Sequence, residues 1–276
     1  MNNKLFNFCI LWACLGFYPS FALSESIPGG VAIIAVNDET RPQVFYEDKK
    51  VMVIGNPGAW QAVVGINLNA KPGLHQILIK SSQANKSLQF TVIEKQYKTQ
   101  HINIKNKRKV NPNKLDMERI NREKKLIETV KSNWRNIELD SLDLILPVQG
   151  RYSSPFGLRR FFNQQARKPH GGIDIAAAEG TPIKAATAGI ITNTGNYFFN
   201  GNTVFIDHGQ GMITMYCHMN NIEVSEGEKI NKGDIIGSVG QTGRVTGPHL
   251  HWSVILNQTT VNPEFFMSSV DTETEH

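Results

Sequence analysis

Half of the chain's eight histidines lie in three short motifs of the C-terminal half, together with one aspartate. Side chains two residues apart on a β-strand point to the same face, so histidines two apart are predicted to face one space. Imidazole and carboxylate groups that converge in this way can bind a divalent metal or transfer protons. The three motifs are His170-Gly-Gly-Ile-Asp174, Tyr216-Cys-His218 and His249-Leu-His251.

The residue spacing in the first and third motifs is consistent with a metal site. His170 and Asp174 are an even number of residues apart and share a face if residues 172–176 are extended, while the two glycines permit a tight turn after His170. Two histidines and one carboxylate, with a fourth position left open, form a ligand set of catalytic zinc. We therefore predict that His170, Asp174 and His251 bind zinc.

The other two histidines of these motifs, His218 and His249, are then close to the metal but not bound to it. They are candidates to orient the attacking water, take its proton or stabilise the developing oxyanion. Burying several imidazoles and a carboxylate without partners would cost several kcal/mol, so their clustering favours a metal. A purely structural zinc site is the alternative, and it would need a closed set of four ligands.

Further motifs surround the histidines and carry a family resemblance. They are Ser153-Ser-Pro-Phe-Gly157, Gly180-Thr-Pro-Ile-Lys-Ala185, Gly201-Asn-Thr-Val204 and Gly240-Gln-Thr-Gly-Arg-Val-Thr-Gly-Pro-His-Leu-His251. Over roughly residues 147–267 the sequence resembles the LytM/lysostaphin-type zinc metallopeptidases, which cut peptide bonds in bacterial peptidoglycan. The resemblance implies an antiparallel β domain and one zinc ion. It also implies the same three ligands, with His218 and His249 as catalytic residues.

The first 22 residues are predicted to be a secretory signal peptide. Lys4 supplies a basic start, and the apolar stretch at 5–17 is shorter than the roughly 20 residues that span a bilayer. Cleavage is expected near Ala22, with lipidation at Cys14 as the less favoured alternative. A periplasmic or secreted protein follows, in which Cys217 is the remaining cysteine and no intramolecular disulfide can form.

Residues 23–104 are predicted to form a small, sandwich-like β domain, because short β-branched runs alternate there with Pro-Gly turns. A similar β domain precedes the peptidase in some Gram-negative members of the family. We expect it to act as a spacer or to position the enzyme on the wall, in preference to a lid over the active site. The predicted strands lie at residues 31–36, 44–46, 50–54, 60–66, 76–80 and 87–93.

A basic, helical linker is predicted at residues 105–139. Residues 101–125 contain nine Lys/Arg and three Asp/Glu, a balance of +6, so the rest of the chain carries −1 of the net +5. This local excess argues against a uniformly basic nucleic-acid-binding protein. Apolar residues at near-helical spacing predict a helix that starts at Asn113. We favour a helix that packs on a domain over one that binds anionic wall polymers or lipid head groups.

Residues 140–267 are predicted to form the peptidase domain, an antiparallel β core with glycine turns, followed by a tail at 268–276. The whole chain is therefore expected to be mainly β. Three further residues are candidates for substrate binding: Arg159 and Arg160, which could bind a carboxylate in a bidentate contact, and Asn202. Predicted strands lie at 144–147, 189–192, 203–207, 212–216, 234–239 and 252–256.

The function expected from these features is hydrolysis of peptide crosslinks or stem peptides of peptidoglycan by a zinc metalloendopeptidase. We expect neither a nucleic-acid partner nor a transmembrane helix. The sequence leaves open whether the protein associates peripherally with the wall or the membrane. The alternative is a non-catalytic wall-binding protein that activates separate amidases. The sequence leaves the cleaved bond and the oligomeric state open.

Overall fold

A computed structural model describes residues 25–80, 85–139 and 142–267 of the chain. The predicted signal peptide, the alternative lipidation at Cys14 and the tail at 268–276 lie outside the described residues. The chain is mainly β, as predicted, with one long helix between two β domains. In the part of the chain that is described, no helix is long and apolar enough to cross a membrane.

The N-terminal β domain is a six-stranded sheet in which every pair of strands is antiparallel. Its six predicted strands are all present, and their spatial order is β1-β4-β3-β2-β5-β6. The strands are β1 (Val31–Val36), β2 (Gln43–Tyr46), β3 (Lys49–Asn56), β4 (Ala59–Gly65), β5 (Gly73–Lys80) and β6 (Asn85–Val92).

Three strands of this sheet, β1, β3 and β4, are buried on both faces. Alternate residues such as Ala32 and Val64 pack in the domain's own core, whereas Val31, Met52 and Val63 join the core of the peptidase domain. Because side chains alternate between the faces of a strand, double burial requires an almost continuous apolar run. The sequences of these strands have such runs, so one face packs in the domain's own core and the other face joins the core of the peptidase domain.

Hydrogen bonds reinforce this junction. Asn257 accepts from the backbone N–H of Gly65 at 2.7 Å and donates to its carbonyl at 2.9 Å. Gln210 accepts from the backbone N–H of Val53 at 3.1 Å. These side chains satisfy backbone groups that the shared core would otherwise leave without partners.

The linker begins after β6, which ends at Val92, so it includes residues 93–104 that the sequence assigned to the N-terminal domain. Its first strand, β7 (Thr99–Ile102), pairs in parallel with β9 (Arg159–Phe162) and lies in a sheet separate from that of the N-terminal domain. Helix α1 (Lys114–Lys131) starts at Asn113, as predicted, through a capping box with Asp116. Val130 is buried against the peptidase domain, which agrees with the packing interpretation of this helix.

The peptidase domain is a ten-stranded antiparallel sheet, and β9 forms a small separate sheet with β7 and β10. The run at 144–147 was predicted as a strand, but it forms none: it runs beside Ala186 with isolated backbone bonds. Besides β7 and β9, the strands of these two sheets are, in chain order, β8 (Arg151–Ser154), β10 (Gln165–Ala166), β11 (Ile173–Ala176), β12 (Pro182–Lys184), β13 (Gly189–Tyr197), β14 (Gly201–Gly209), β15 (Met212–Ile222), β16 (Lys229–Ile230), β17 (Ile235–Val239), β18 (Leu250–Leu256) and β19 (Thr259–Val261).

Candidate active site

Three side chains place one donor atom each around a common point. His170 Nε2 lies 2.8 Å from Asp174 Oδ1 and 2.9 Å from His251 Nδ1. His251 Nδ1 lies 2.8 Å from the same carboxylate oxygen. A single metal ion can reach all three atoms, and they are the three side chains that the motifs predicted as ligands.

The pairing of β11 with β18 produces this convergence. Asp174 lies directly opposite His251 in the antiparallel register, so the two side chains share a face of the sheet. Gly172 makes the close approach feasible, because a Cβ there would lie 2.3 Å from the carbonyl oxygen of Trp252 and 2.9 Å from Cε1 of His251. The second glycine of the first motif thus makes room for the ring of a ligand.

The second nitrogen of each ligand histidine is held by a hydrogen bond. His170 Nδ1 donates to the carbonyl of Pro155 at 2.8 Å, and His251 Nε2 lies 3.0 Å from Ser253 Oγ. A carbonyl oxygen can only accept, so the proton of His170 is on Nδ1 and the lone pair is on Nε2. Metal-binding histidines are oriented in this way, with the outer nitrogen bonded to the protein.

The protonation states also suit a metal. Burial lowers the pKa of His170 to about 4, although Asp174 opposes the shift. Burial alone would raise the pKa of Asp174, but the adjacent rings of His170 and His251 hold it well below its usual range. At neutral pH these groups are a neutral imidazole and a carboxylate, the forms that bind metal.

His218 and His249 lie beside the three donors, with ring centroids 4.9 Å apart. His249 Nδ1 donates to the carbonyl of Gly247 at 2.8 Å, and His218 Nδ1 donates to the carbonyl of Thr242 at 2.8 Å. In both rings the lone pair is therefore on Nε2. His249 Nε2 is 3.9 Å from Asp174 Oδ1, so it borders directly on the triad.

His218 reaches the site through an unusual backbone conformation. Its φ is 65°, in the left-handed region, and the register of β14 with β15 shifts between Asn202 and Val204. Such a conformation costs about 1–3 kcal/mol and persists only where the surroundings hold it. Here the backbone N–H of His218 donates to the carbonyl of Asn200 at 2.8 Å.

The two histidines differ in their electrostatic surroundings. Burial lowers the pKa of His218 well below its usual range, and the neighbouring His249 and His251 lower it further. Burial also lowers the pKa of His249, but Asp174 opposes this shift. Of the two rings, His249 is therefore the better placed to accept a proton.

A groove of about 330 Å³ opens beside the triad. Gln100 of β7 contributes to its lining, whereas no described residue of the range 25–92 does. Other lining residues are Arg160, Asp174, His218, Arg244 and His249.

The three candidate substrate-binding residues have different surroundings. Arg160 Nη2 donates to Asp174 Oδ2 at 2.7 Å, on the side of the carboxylate away from the histidines. Arg159 is exposed and, like Asn202, is not among the residues that line the groove. The amide of Asn202 donates to the carbonyls of Met219 and Asn220 at 3.1 and 2.9 Å and so braces β14 against β15.

Comparison with known proteins agrees with this architecture. Residues 168–263 match Peptidase family M23, and residues 24–95 match the Peptidase family M23 N-terminal domain. A crystal structure from Pseudomonas aeruginosa, described as a peptidase M23, is 39% identical and has a TM-score of 0.76, covering 89% of this chain and 96% of that one. The chain belongs to peptidase family M23.

Two curated relatives match less than half of this chain. The DD-carboxypeptidase/endopeptidase Mpg of Neisseria meningitidis is 44% identical over 116 residues, which is 42% of this chain and 27% of that protein. The peptidoglycan DD-endopeptidase ShyA of Vibrio cholerae is 42% identical over 113 residues, which is 41% of this chain and 26% of that protein. The M23 match thus spans about a quarter of the length of these relatives.

The donor set of this M23 domain fits zinc. Two imidazole nitrogens and one carboxylate oxygen with free lone pairs would repel one another at 2.8–2.9 Å without a cation or shared proton between them. Nitrogen and oxygen donors of this kind bind zinc at about 2.0–2.2 Å. The groove beside the triad leaves space for water and substrate on the fourth side.

Two residues of the M23 groove were missed from the sequence. The guanidinium of Arg244 stacks between the rings of Phe162 and Phe199, 4.4 and 4.3 Å from their centroids. Its position in a glycine-rich stretch just before the third motif could have indicated a role in the groove. No sequence pattern indicates Gln100, because its contact with Arg160 depends on the pairing of β7 with a strand about sixty residues further along the chain.

Proposed function

We propose that this M23 chain is a zinc-dependent endopeptidase that hydrolyses peptide crosslinks or stem peptides of bacterial peptidoglycan in the periplasm or outside the cell. One observation carries the proposal: three oriented ligand atoms converge beside a groove that also contains two neutral histidines. The names of the curated relatives support peptidoglycan as the substrate. In this proposal, His170, Asp174 and His251 hold one zinc ion.

When bound, zinc would lower the pKa of a coordinated water and polarise the scissile carbonyl. His249 can then accept the proton of the attacking water on Nε2, because Nδ1 is fixed by Gly247 and Asp174 stabilises the resulting imidazolium. The same ring can return the proton to the leaving amine.

His218 has a different part in this mechanism. Because its pKa is low, the ring is a weak base and accepts a proton poorly. Its Nε2 atom can still accept a hydrogen bond and so orient the attacking water. The oxyanion role expected for this ring would need a proton on Nε2, which its low pKa disfavours. The expected carboxylate contact of the substrate remains a prediction for Arg159, since Arg160 already binds Asp174.

Digestion of purified peptidoglycan tests the proposal. Sacculi are incubated with the zinc-loaded protein, with the chelated protein and with the chelated protein after zinc is restored, and the muropeptides are identified by mass. We expect crosslinked dimers to become monomers, with activity lost on chelation and recovered with zinc. Intact crosslinks in every sample, together with stimulation of an added amidase, would favour the non-catalytic alternative.

A further inference from the structure

Arg160 bridges the metal triad and the linker. Its Nη2 donates to Asp174 Oδ2 at 2.7 Å, and its Nε donates to the side-chain oxygen of Gln100 at 3.2 Å. The side chains of Arg160 and Asp174 are only 15% and 8% exposed. This chain of contacts leads from a backbone strand of the linker to a carboxylate of the site.

The linker strand is firmly fixed at this point. Gln100 lies directly beside Arg160 in the parallel pairing of β7 with β9, and the next residue, His101, stacks on Phe161 with ring centroids 4.9 Å apart. Beyond the strand, the side chain of Asn163 binds both the N–H and the carbonyl of Ile104, at 2.8 and 3.1 Å. Gln100 is therefore a fixed acceptor for the guanidinium.

The two oxygens of Asp174 have separate tasks. Oδ1 faces the two ligand histidines, so Oδ2 is a buried acceptor that needs a donor of its own. Arg160 supplies that donor and prevents the carboxylate from rotating. Its positive charge also repels a metal cation, which works in the opposite direction. Partners of metal ligands nevertheless typically strengthen metal binding by about 10- to 100-fold, so orientation outweighs repulsion.

We propose that Arg160 is a positioning residue for Asp174 and that Gln100 holds Arg160 in place, so that the linker completes the metal site. The inference rests on the proposed zinc-dependent function. It gives β7 a direct part in the chemistry, beyond connecting two domains.

Zinc affinity is the decisive measurement. Arg160→Met, Arg160→Lys and Gln100→Leu are compared with the wild-type chain by competition with a chromophoric chelator. Arg151→Met is the matched control, because it removes the same charge from an exposed position on β8 that does not line the groove. We expect Arg160→Met to weaken zinc binding by about 10- to 100-fold and Arg160→Lys to recover part of it. Gln100→Leu should give a smaller loss, and Arg151→Met should stay within about twofold.

The outcomes separate this inference from the proposed function. If the wild-type chain binds no zinc, both fail. If it binds zinc and digests peptidoglycan but folded Arg160→Met binds zinc equally well or more tightly, only the positioning role is overturned. Thermal melting of the metal-free proteins shows whether each variant is folded. If Arg160→Met does not fold, Arg160→Lys and Gln100→Leu decide, and unchanged affinity in both would overturn the inference.

Discussion

The N-terminal β domain and the peptidase domain are both built from antiparallel strands, but they bury different side chains. Apolar residues form the core of the first, and Asp38 is the one buried polar or charged residue among the described residues of the range 25–92. The peptidase domain buries three histidines and two aspartates: His170, His208, His218, Asp174 and Asp207.

The difference shows that the peptidase domain is the one in which the desolvation of polar groups must be offset. Each buried imidazole or carboxylate must find partners within the fold, and the hydrogen bonds around the triad supply them. The N-terminal domain avoids that cost and contributes apolar surface to the shared core. Substitutions in the first domain should therefore change stability, whereas those at the triad should change chemistry.

The sharpest test of this contrast compares two histidines, one from each domain. His170→Ala should abolish zinc binding and peptidoglycan hydrolysis together, because it removes one of the three proposed ligands. His75→Ala, in the N-terminal domain, should retain both, since His75 contacts Tyr46 and Lys71. Zinc content by atomic absorption and digestion of sacculi are the measurements. Full zinc content in His170→Ala would contradict the ligand assignment.

Within the peptidase domain, metal binding and proton transfer should depend on different histidines. His249→Ala is expected to reduce hydrolysis by about 10²- to 10⁴-fold, because it removes the group that accepts the proton of water. Zinc affinity should stay unchanged, since the Nε2 atom of His249 is not among the three converging donors. Turnover of a defined crosslinked muropeptide and zinc competition check the two statements. A variant with normal turnover would remove His249 from the mechanism.

Part of the convergence at the triad was predictable because it depends on local rules. Side-chain alternation and the pairing of β11 with β18 place Asp174 and His251 on one face, whereas His170 precedes β11 in irregular backbone and was predicted from its motif. The mainly β fold followed similarly from strand and turn patterns. The start of α1 at Asn113 followed from the side chain that caps it.

The remaining features depend on contacts between distant segments. The shared core was missed because a continuous apolar strand does not show which second surface will cover it. Residues 144–147 are extended and apolar, but without neighbours in register they remain outside the sheet. The contact of Gln100 with Arg160 likewise requires the linker to return to β9, which no local pattern indicates.

Acid should destabilise the peptidase domain through His208. This ring is fully buried between the Ala188 carbonyl and Thr214, and burial lowers its pKa to about 4. Above pH 6.5 both folded and unfolded forms are neutral. As the pH falls from 6.5 to 4, only the unfolded chain gains the proton, so the free energy of unfolding should decrease by roughly 3 kcal/mol.

Urea unfolding at pH 7, 5.5 and 4 measures this contribution. His208→Asn should be less stable at pH 7 but should lose less stability on acidification than the wild-type chain. His101→Asn, which removes an exposed histidine of the linker, is the control and should follow the wild-type curve. Parallel curves for wild type and His208→Asn would show that His208 does not carry the pH dependence.

The smallest expected effect tests the junction between the two domains. Asn257→Gly removes the amide that satisfies both backbone groups of Gly65, and glycine tolerates the positive φ of 35° at this position. We expect a loss of about 1–3 kcal/mol in the free energy of unfolding, because two buried backbone groups lose their partner. Gln258→Gly is the matched control, since Gln258 is the next residue, has a φ of 67° and is exposed. Equal stability of the two variants would show that the Asn257 amide does not stabilise the junction.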